Sequence, residues 1–411
     1  MSQRAPGFSA VLAVPEFRAL WFAEAQSIFG DQLAKVALTI LVYDRTNSAL
    51  LAAVVYALTF LSALAGGLGL SQLADRFPRR RLMVGCTLAQ AAVVALMAIP
   101  GMPIAVLCAL VFSIGLIQSP AAAAQNAVTR EVFTDDEMYL RSQDLRGITT
   151  NTLMLLGLAG GGMLVVAIGT SWALAIDAVT FLVSAAVVHR YVKNRKVAGS
   201  KLDGWFTAAR WVFGNRQMRV LLTMSWLVGL VVIPEGLVAP LAKELGANNA
   251  AVGWLLAADP LGFVIGTYVV SRFVTAEHRV RIMGVLATCS SASLIMFALS
   301  PNVYGAIVLL AMAGAFGAYQ ITVSATFNTM VPNEIRGGAI GVSRTGLRVS
   351  QGIGVGIGGA VAEVIGSSTT TIALAGSLGV LIAVPAAVAW VRLHRAVDGS
   401  HLAPKLKSLP S

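Results

Sequence analysis

Long apolar runs, separated by short polar loops, repeat along almost the whole chain, and this pattern restricts what it can fold into. A helix needs about 20 consecutive apolar residues to cross the hydrocarbon core of a bilayer. Because lipid offers the backbone no hydrogen-bond partners, each run is expected to be helical. The twelve predicted spans are 18–42, 50–73, 82–99, 104–124, 144–166, 170–190, 218–241, 250–271, 281–299, 303–326, 341–365 and 369–391.

The composition of the chain agrees with a membrane protein. Apolar residues make up 57% of the 411 residues and charged residues only 12%, whereas soluble domains carry about 25% charge. The three cysteines, Cys86, Cys108 and Cys289, all lie in apolar runs. They are therefore interpreted as small buried side chains, and no disulfide framework is expected.

Basic residues occupy alternate loops, and this placement predicts the topology. The second loop holds Arg76, Arg79, Arg80 and Arg81, and the sixth loop, at residues 193–217, is also strongly basic. Lysine and arginine accumulate in cytoplasmic loops of membrane proteins. We therefore expect both termini in the cytoplasm of a multi-pass protein of the inner or plasma membrane. The net charge of +11 follows from these loops, so no nucleic-acid partner is predicted.

The two halves of the chain resemble each other, which predicts an internal repeat. Asp75-Arg76-Phe77 precedes Ser271-Arg272-Phe273 by 196 residues, and Asp136-Glu137 precedes Asn333-Glu334 by 197 residues. Parallel repeats of this kind occur in one large class of transporters. The predicted divisions are an N-terminal six-helix bundle (1–192), a cytoplasmic linker with a short amphipathic helix (193–217), a C-terminal six-helix bundle (218–395) and a flexible cytoplasmic tail (396–411).

The most specific motif lies in the second loop and reads Ser-Gln-Leu-Ala-Asp-Arg-Phe-Pro-Arg-Arg-Arg over residues 71–81. It resembles the Gly-x-x-x-Asp-Arg-x-Gly-Arg-Arg signature of the major facilitator superfamily, with Ser71 and Pro78 in place of glycine. Together with Pro15-Glu16-Phe17-Arg18 and the Gly30-Asp31 pair, it is similar to the drug and siderophore exporters of that superfamily, of the multidrug or macrolide efflux type. The resemblance covers nearly the whole chain. It implies an all-α fold of twelve helices in two pseudo-symmetric bundles, alternating access, and a central cavity lined by spans one, four, seven and ten.

The same loop is the candidate gate. Asp75 can pair with arginines and with the N-terminus of a neighbouring helix. Contacts of this kind can form in one conformation and break in another, so the loop is interpreted as a latch. A basic loop that only sets the topology is the alternative. The predicted gating residues are Ser71, Asp75, Arg76, Arg79 and Arg80.

Span one carries polar side chains at helical spacing. Glu24, Ser27, Asp31 and Lys35 are three, four and four residues apart, which places them on one face. Ionisable groups inside a bilayer normally face a cavity or a partner. Asp31, near the middle of the span, is the leading candidate for binding a proton or a cationic substrate. A mutually neutralised Asp31–Lys35 pair is the alternative.

Glu235 lies deep in span seven beside Pro234, which is expected to kink the helix. It is interpreted as a gating or coupling acid, and a structural acid paired with Lys35 is the alternative. Glycine clusters in spans five and eleven are interpreted as helix packing. The other predicted cavity residues are Gln118, Asn126, Asn151, Tyr319, Gln320 and Arg348, for which hydrogen bonds between helices are the alternative role.

These features predict a secondary transporter that exports a small amphipathic organic compound by proton antiport. The chain contains no glycine-rich phosphate loop, so ATP is not expected to drive transport. Neither an enzyme activity nor a cofactor or metal is predicted, and the expected partners are the substrate, protons and the lipid bilayer, with the protein monomeric. An uptake symporter of the same fold and a non-transporting membrane sensor or partner protein are the alternatives.

Overall fold

The computed structural model describes residues 8–70, 73, 76–194 and 205–406. These residues form helices joined by short loops, and no strand occurs among them. The helices are α1 (Phe8–Leu12), α2 (Pro15–Thr46), α3 (Ala49–Gly69), α4 (Arg79–Met97), α5 (Ile104–Val132), α6 (Asp136–Ile168), α7 (Thr170–Tyr191), α8 (Trp205–Gly214), α9 (Arg216–Trp226), α10 (Val228–Val231), α11 (Ile233–Gly236), α12 (Val238–Glu244), α13 (Asn249–Phe273), α14 (Ala276–Ile295), α15 (Val303–Gly317), α16 (Tyr319–Met330), α17 (Arg336–Ile365) and α18 (Ser368–Leu406).

Ten helical stretches in the described part of the chain are long and apolar enough to cross a membrane. Two further helices, α2 with 32 residues and α17 with 30, are long enough but are not among these ten. At about 1.5 Å per residue, both exceed the ~30 Å thickness of the hydrocarbon core. The prediction of a helical, multi-pass membrane protein is confirmed. The count of twelve crossings and the side on which the termini lie stay predictions.

Local sequence explains where many helices begin and end. Pro15 occupies the first turn of α2, and the side chains of Ser48 and Asp135 cap α3 and α6 by accepting a hydrogen bond from a backbone N–H of the first turn. Gly169, with φ of 82°, separates α6 from α7. A side chain at that dihedral angle would be strained, so this glycine permits the tight reversal between the two helices.

Span seven is broken into four short helices, α9 to α12. Turns at Leu227, Val232 and Leu237 separate these helices. Pro234 and Pro240 lie in this stretch, and proline removes a backbone hydrogen bond and clashes with the preceding turn. The kink predicted at Pro234 is therefore part of a longer interruption. Pro260 differs from these two prolines, because it lies inside α13, which continues as one helix from Asn249 to Phe273.

The chain divides into two compact units. The N-terminal unit comprises Met1–Lys201 and Glu235–Ala257, and the C-terminal unit comprises Leu202–Pro234 and Ala258–Ser411. The seventh and eighth spans thus contribute to both. One part of the core of the N-terminal unit contains Leu20, Ala23, Met83, Ala124, Val128, Val188 and Val192.

Close packing of small residues holds helices together in the C-terminal unit. A Cβ atom added at Gly262 or Gly266 of α13 would collide with the carbonyl oxygens of Ala311 and Ala315 of α15. Conversely, a Cβ atom on Gly314 would collide with the carbonyl of Asp259. Small residues allow such backbone contact between helices in lipid, where packing rather than the hydrophobic effect drives association.

Candidate functional site

A polar cavity of about 150 Å³ lies inside the N-terminal unit. Helices α2, α4, α5 and α7 supply its walls. Its polar lining residues are Glu24, Ser27, Asp31, Thr87, Gln90, Gln118, Gln125 and Ser184, and its apolar lining includes Met83, Ile28 and Phe181. The cavity therefore combines carboxyl, hydroxyl and amide groups within the bundle.

The face of α2 predicted from sequence forms one wall of this cavity. Glu24, Ser27 and Asp31 all line it. The packing of α2 against α7 is fixed beside them, because the Ser184 hydroxyl donates a hydrogen bond to the Ala23 carbonyl over 2.8 Å and accepts one from Gln26 over 3.1 Å. The fourth residue of the predicted face, Lys35, has partners of its own, described below.

Asp31 faces a second carboxyl group, that of Asp177 on α7. A Cβ atom on Gly30 would collide with Asp177 Oδ1 and would lie 2.6 Å from Thr180 Oγ1, so the Asp177 carboxyl rests directly on the α2 backbone beside Asp31. The two carboxyl groups are close enough to interact electrostatically. Asp177 is 1% exposed and accepts a hydrogen bond from Thr180 over 3.2 Å. Asp177 is not among the site residues predicted from the sequence.

Glu24 is held by an arginine that was not among the predicted site residues. Arg146 of α6 donates two hydrogen bonds to the Glu24 carboxylate, at 2.6 and 2.7 Å. Its Nη1 also donates to Asn126 Oδ1 over 2.9 Å. This bidentate geometry neutralises the charge of Glu24 at the cavity wall. The position of this arginine within predicted span five was the available signal for it.

Two glutamine side chains of the cavity lack protein partners. Gln90 is 3% exposed, lines the cavity and makes no hydrogen bond within the described part of the chain. The buried Nε2 of Gln125 is likewise without an acceptor there. Buried amides normally have partners, and polar cavities of this kind hold water. The predicted residue Gln118 lines the same cavity.

Lys35, Tyr56 and Glu235 form a second polar group in the N-terminal unit, here called the Lys35 cluster. The Lys35 ammonium lies 3.8 Å from Glu235 Oε2 and 4.5 Å from the centre of the Tyr56 ring. The Tyr56 hydroxyl donates a hydrogen bond to the same carboxylate. Lys35 is thus a partner of Glu235, whereas Asp31 has no ion pair among the described residues.

The gating loop is described only in part. Ser71 and Asp75 lie outside the described residues, and Arg76 is exposed. Arg79, at the start of α4, is 7% exposed and forms an ion pair with Glu131 of α5. One Nη atom of Arg80 lies 3.4 Å from His189 Nδ1.

The remaining predicted cavity residues have varied surroundings. Asn151 and Arg348 are both exposed. Tyr319 and Gln320 belong to the C-terminal unit, and both donate hydrogen bonds to the Met224 carbonyl, over 3.0 and 3.3 Å. These two side chains therefore tie α16 to α9, which is the structural role that the sequence left open. Within the described residues, no three histidine, cysteine or acidic side chains gather as a metal site would require.

One family model and two solved structures of transporters are similar to this chain. A family model described as transmembrane secretion effector matches residues 7–408. The crystal structure of the nucleoside transporter NupG is similar in fold, with 14% identity, a TM-score of 0.72, and coverage of 90% of this chain and 99% of that one. A bacterial homolog of the human lysosomal transporter Spinster, in an inward-facing and occupied conformation, is also similar, with 12% identity, a TM-score of 0.70, and coverage of 92% and 96%. No curated protein matches the chain.

Proposed function

Because the chain belongs to the transmembrane secretion effector family, and with it to the major facilitator superfamily of transporters, we propose that it exports a small amphipathic organic compound in exchange for protons. The proposal includes alternating access, twelve membrane crossings with both termini in the cytoplasm, and the two six-helix bundles at 1–192 and 218–395.

One observation carries the coupling to protons. Asp31 lines the cavity of the N-terminal unit, and no cation neutralises it among the described residues. An ionisable group within a membrane-spanning helix is costly and marks an ion or substrate pathway. The nearest lysine on the same helix, Lys35, pairs with Glu235 instead. An acid held in this way can bind a proton in one conformation and release it in the other.

Export is favoured over uptake by the secretion description of the family. The test uses the full-length protein in proteoliposomes, with the fluorescent lipophilic cation ethidium as the probe. An imposed proton gradient should drive ethidium against its concentration, in the direction opposite to proton flow. Movement of ethidium in the same direction as protons would indicate the symport alternative.

The residue-level test replaces Asp31 with asparagine. Asp31→Asn should reduce gradient-driven transport about tenfold or more, since typical coupling free energies correspond to 5–150-fold effects. The matched control is Asp144→Asn, because Asp144 belongs to the same unit but is a largely exposed partner of Arg141. Normal coupling in Asp31→Asn would refute the assignment. Absence of flux for every compound in a susceptibility and accumulation panel, with or without an uncoupler, would favour a non-transporting protein.

A further inference from the structure

Resting on that proposed function, we propose that the cavity of the N-terminal unit is a hydrated proton site at which Asp31 and Asp177 share one proton, and that the organic substrate binds elsewhere. The proposal assigns Asp177, a residue of α7, to the coupling machinery. It also assigns water as the occupant of the cavity.

The size of the cavity selects its occupant. Its volume of about 150 Å³ accommodates several water molecules. Sites for drug-sized ligands usually occupy about 300–1,000 Å³. The cavity is therefore suited to water and small ions, and an amphipathic compound large enough to partition into lipid requires another site.

The unpartnered amide of Gln90 indicates that this water is ordered. Gln90 is almost fully buried, lines the cavity and makes no hydrogen bond within the described part of the chain. An unsatisfied buried polar group costs about 1–3 kcal/mol. Water molecules bridging Gln90 and the carboxyl of Asp31 would satisfy this amide and form a path along which protons can move.

The position of Asp177 explains why two carboxyl groups are needed. Its carboxyl lies against Gly30, adjacent to Asp31 and screened from solvent. Two like charges at close range in apolar surroundings repel strongly, and carboxyl pairs relieve this repulsion by sharing a proton. A hydronium ion in the cavity transfers a proton to an Asp31 oxygen and becomes water, the proton is held between the two carboxyl groups, and its release to water forms hydronium again with no other bond changed.

The charged groups around the pair leave it anionic when no proton is bound. On α2, Glu24 is neutralised by Arg146 of α6, and Lys35 contacts Glu235 and Tyr56 of α3. Towards the ends of α4 and α5, Arg79 pairs with Glu131 and Arg130 pairs with Asp136. Asp177 is the charged group of α7 that interacts electrostatically with Asp31. No cation therefore competes with the proton for the pair within the described part of the chain.

The first experiment requires neither substrate nor transport, so its result is independent of the proposed function. Infrared difference titration of the purified full-length protein should show one carboxyl group that takes up a proton, and both Asp31→Asn and Asp177→Asn should remove or shift its band. Asp144→Asn should leave the band unchanged. A band that persists unaltered in Asp177→Asn, or the absence of any such band, overturns the shared-proton site.

The second experiment separates proton coupling from substrate binding in proteoliposomes. Asp177→Asn and Gln90→Leu should lower gradient-driven ethidium transport about tenfold. Ethidium counterflow at symmetric pH should stay within about twofold of wild type, because these substitutions remove the coupling to protons and leave substrate binding intact. Asp177→Glu should restore part of the gradient-driven transport. Counterflow that falls in parallel with driven transport would place the substrate in this cavity, and transport driven by a Na⁺ gradient alone would make the cavity a metal-cation site. Either result overturns the proposal.

Discussion

The Lys35 ammonium and the Glu235 carboxylate approach to 3.8 Å within the N-terminal unit, so a charge near the middle of α2 is neutralised by an acid at the break in span seven. The side chains are 24% and 21% exposed. Because the pair is partly buried, removing one partner should cost more stability than it would for a surface ion pair, since the other charge is left unpaired in those surroundings. Four predictions follow from this and the neighbouring contacts.

Replacing Glu235 with glutamine should destabilise the protein, because the Lys35 ammonium loses the carboxylate that lies 3.8 Å from it. We expect a loss of about 1–3 kcal/mol, the range for hydrogen bonds to charged groups. Thermal unfolding in detergent measures it. The exchanged pair Lys35→Glu with Glu235→Lys should recover part of the loss, and a double variant no better than the two single ones would show that the charges do not interact.

Tyr56→Phe removes the hydroxyl that donates to Glu235 and keeps the ring that contacts Lys35. The expected loss is about 1–2 kcal/mol, since an acceptor carboxylate is left with one donor fewer. The control is Tyr304→Phe, because Tyr304 is 76% exposed and its hydroxyl can bond to solvent. Equal melting temperatures for the two variants would argue against a stabilising role for the Tyr56 hydroxyl.

Arg146→Lys tests the bidentate contact with Glu24. A lysine cannot reproduce two parallel hydrogen bonds, so this substitution should cost about 2 kcal/mol. The matched control is Arg281→Lys, because Arg281 forms an ion pair with Glu277 on the surface. The side chains of Arg281 and Glu277 are 55% and 69% exposed, whereas those of Arg146 and Glu24 are 13% and 21% exposed. The control should change stability by less than about 0.5 kcal/mol. The two variants are compared by thermal unfolding, and a reversed order would contradict the structure.

The glycines of α6 should differ sharply in their tolerance of a methyl group. A Cβ atom on Gly162 would lie 2.6 Å from the Ala250 carbonyl oxygen and 2.9 Å from the Gly253 nitrogen, whereas a Cβ atom on Gly160 meets nothing within 4 Å. Gly160→Ala should therefore be neutral or stabilising by up to about 1 kcal/mol, as expected for alanine in a helix. Gly162→Ala should cost about 1–3 kcal/mol through overpacking. Yield and melting temperature of the purified variants distinguish these outcomes.

The sequence predicted the helical membrane architecture correctly, and it placed Glu24, Ser27 and Asp31 on one face of α2, because both inferences follow from short-range periodicity. Glu24, Ser27 and Asp31 do line one cavity. The partners of these residues could not be obtained in the same way. Periodicity identifies which side of a helix is polar, but it carries no information about which distant helix packs there.

Arg146 and Gln90 illustrate the difference. Gln90 is an isolated polar residue in an apolar run, and Arg146 lies in the polar first turns of predicted span five, so the sequence indicates that each needs a partner without indicating which one. Arg146 lies 122 residues from the glutamate that it contacts. Glu235 was left with two alternatives for the same reason, since pairing with Lys35 depends on how span seven is interrupted.

The contacts of Gly262 and Gly266 with the carbonyl groups of α15 bear on how the C-terminal unit can deform. The two glycines are one helical turn apart, and so are Ala311 and Ala315. A shift of α13 along α15 by a single residue would bring larger side chains such as Phe263 onto those carbonyl oxygens. Axial sliding between these helices is therefore blocked, and the pair should travel as one rigid body through every step of a working cycle.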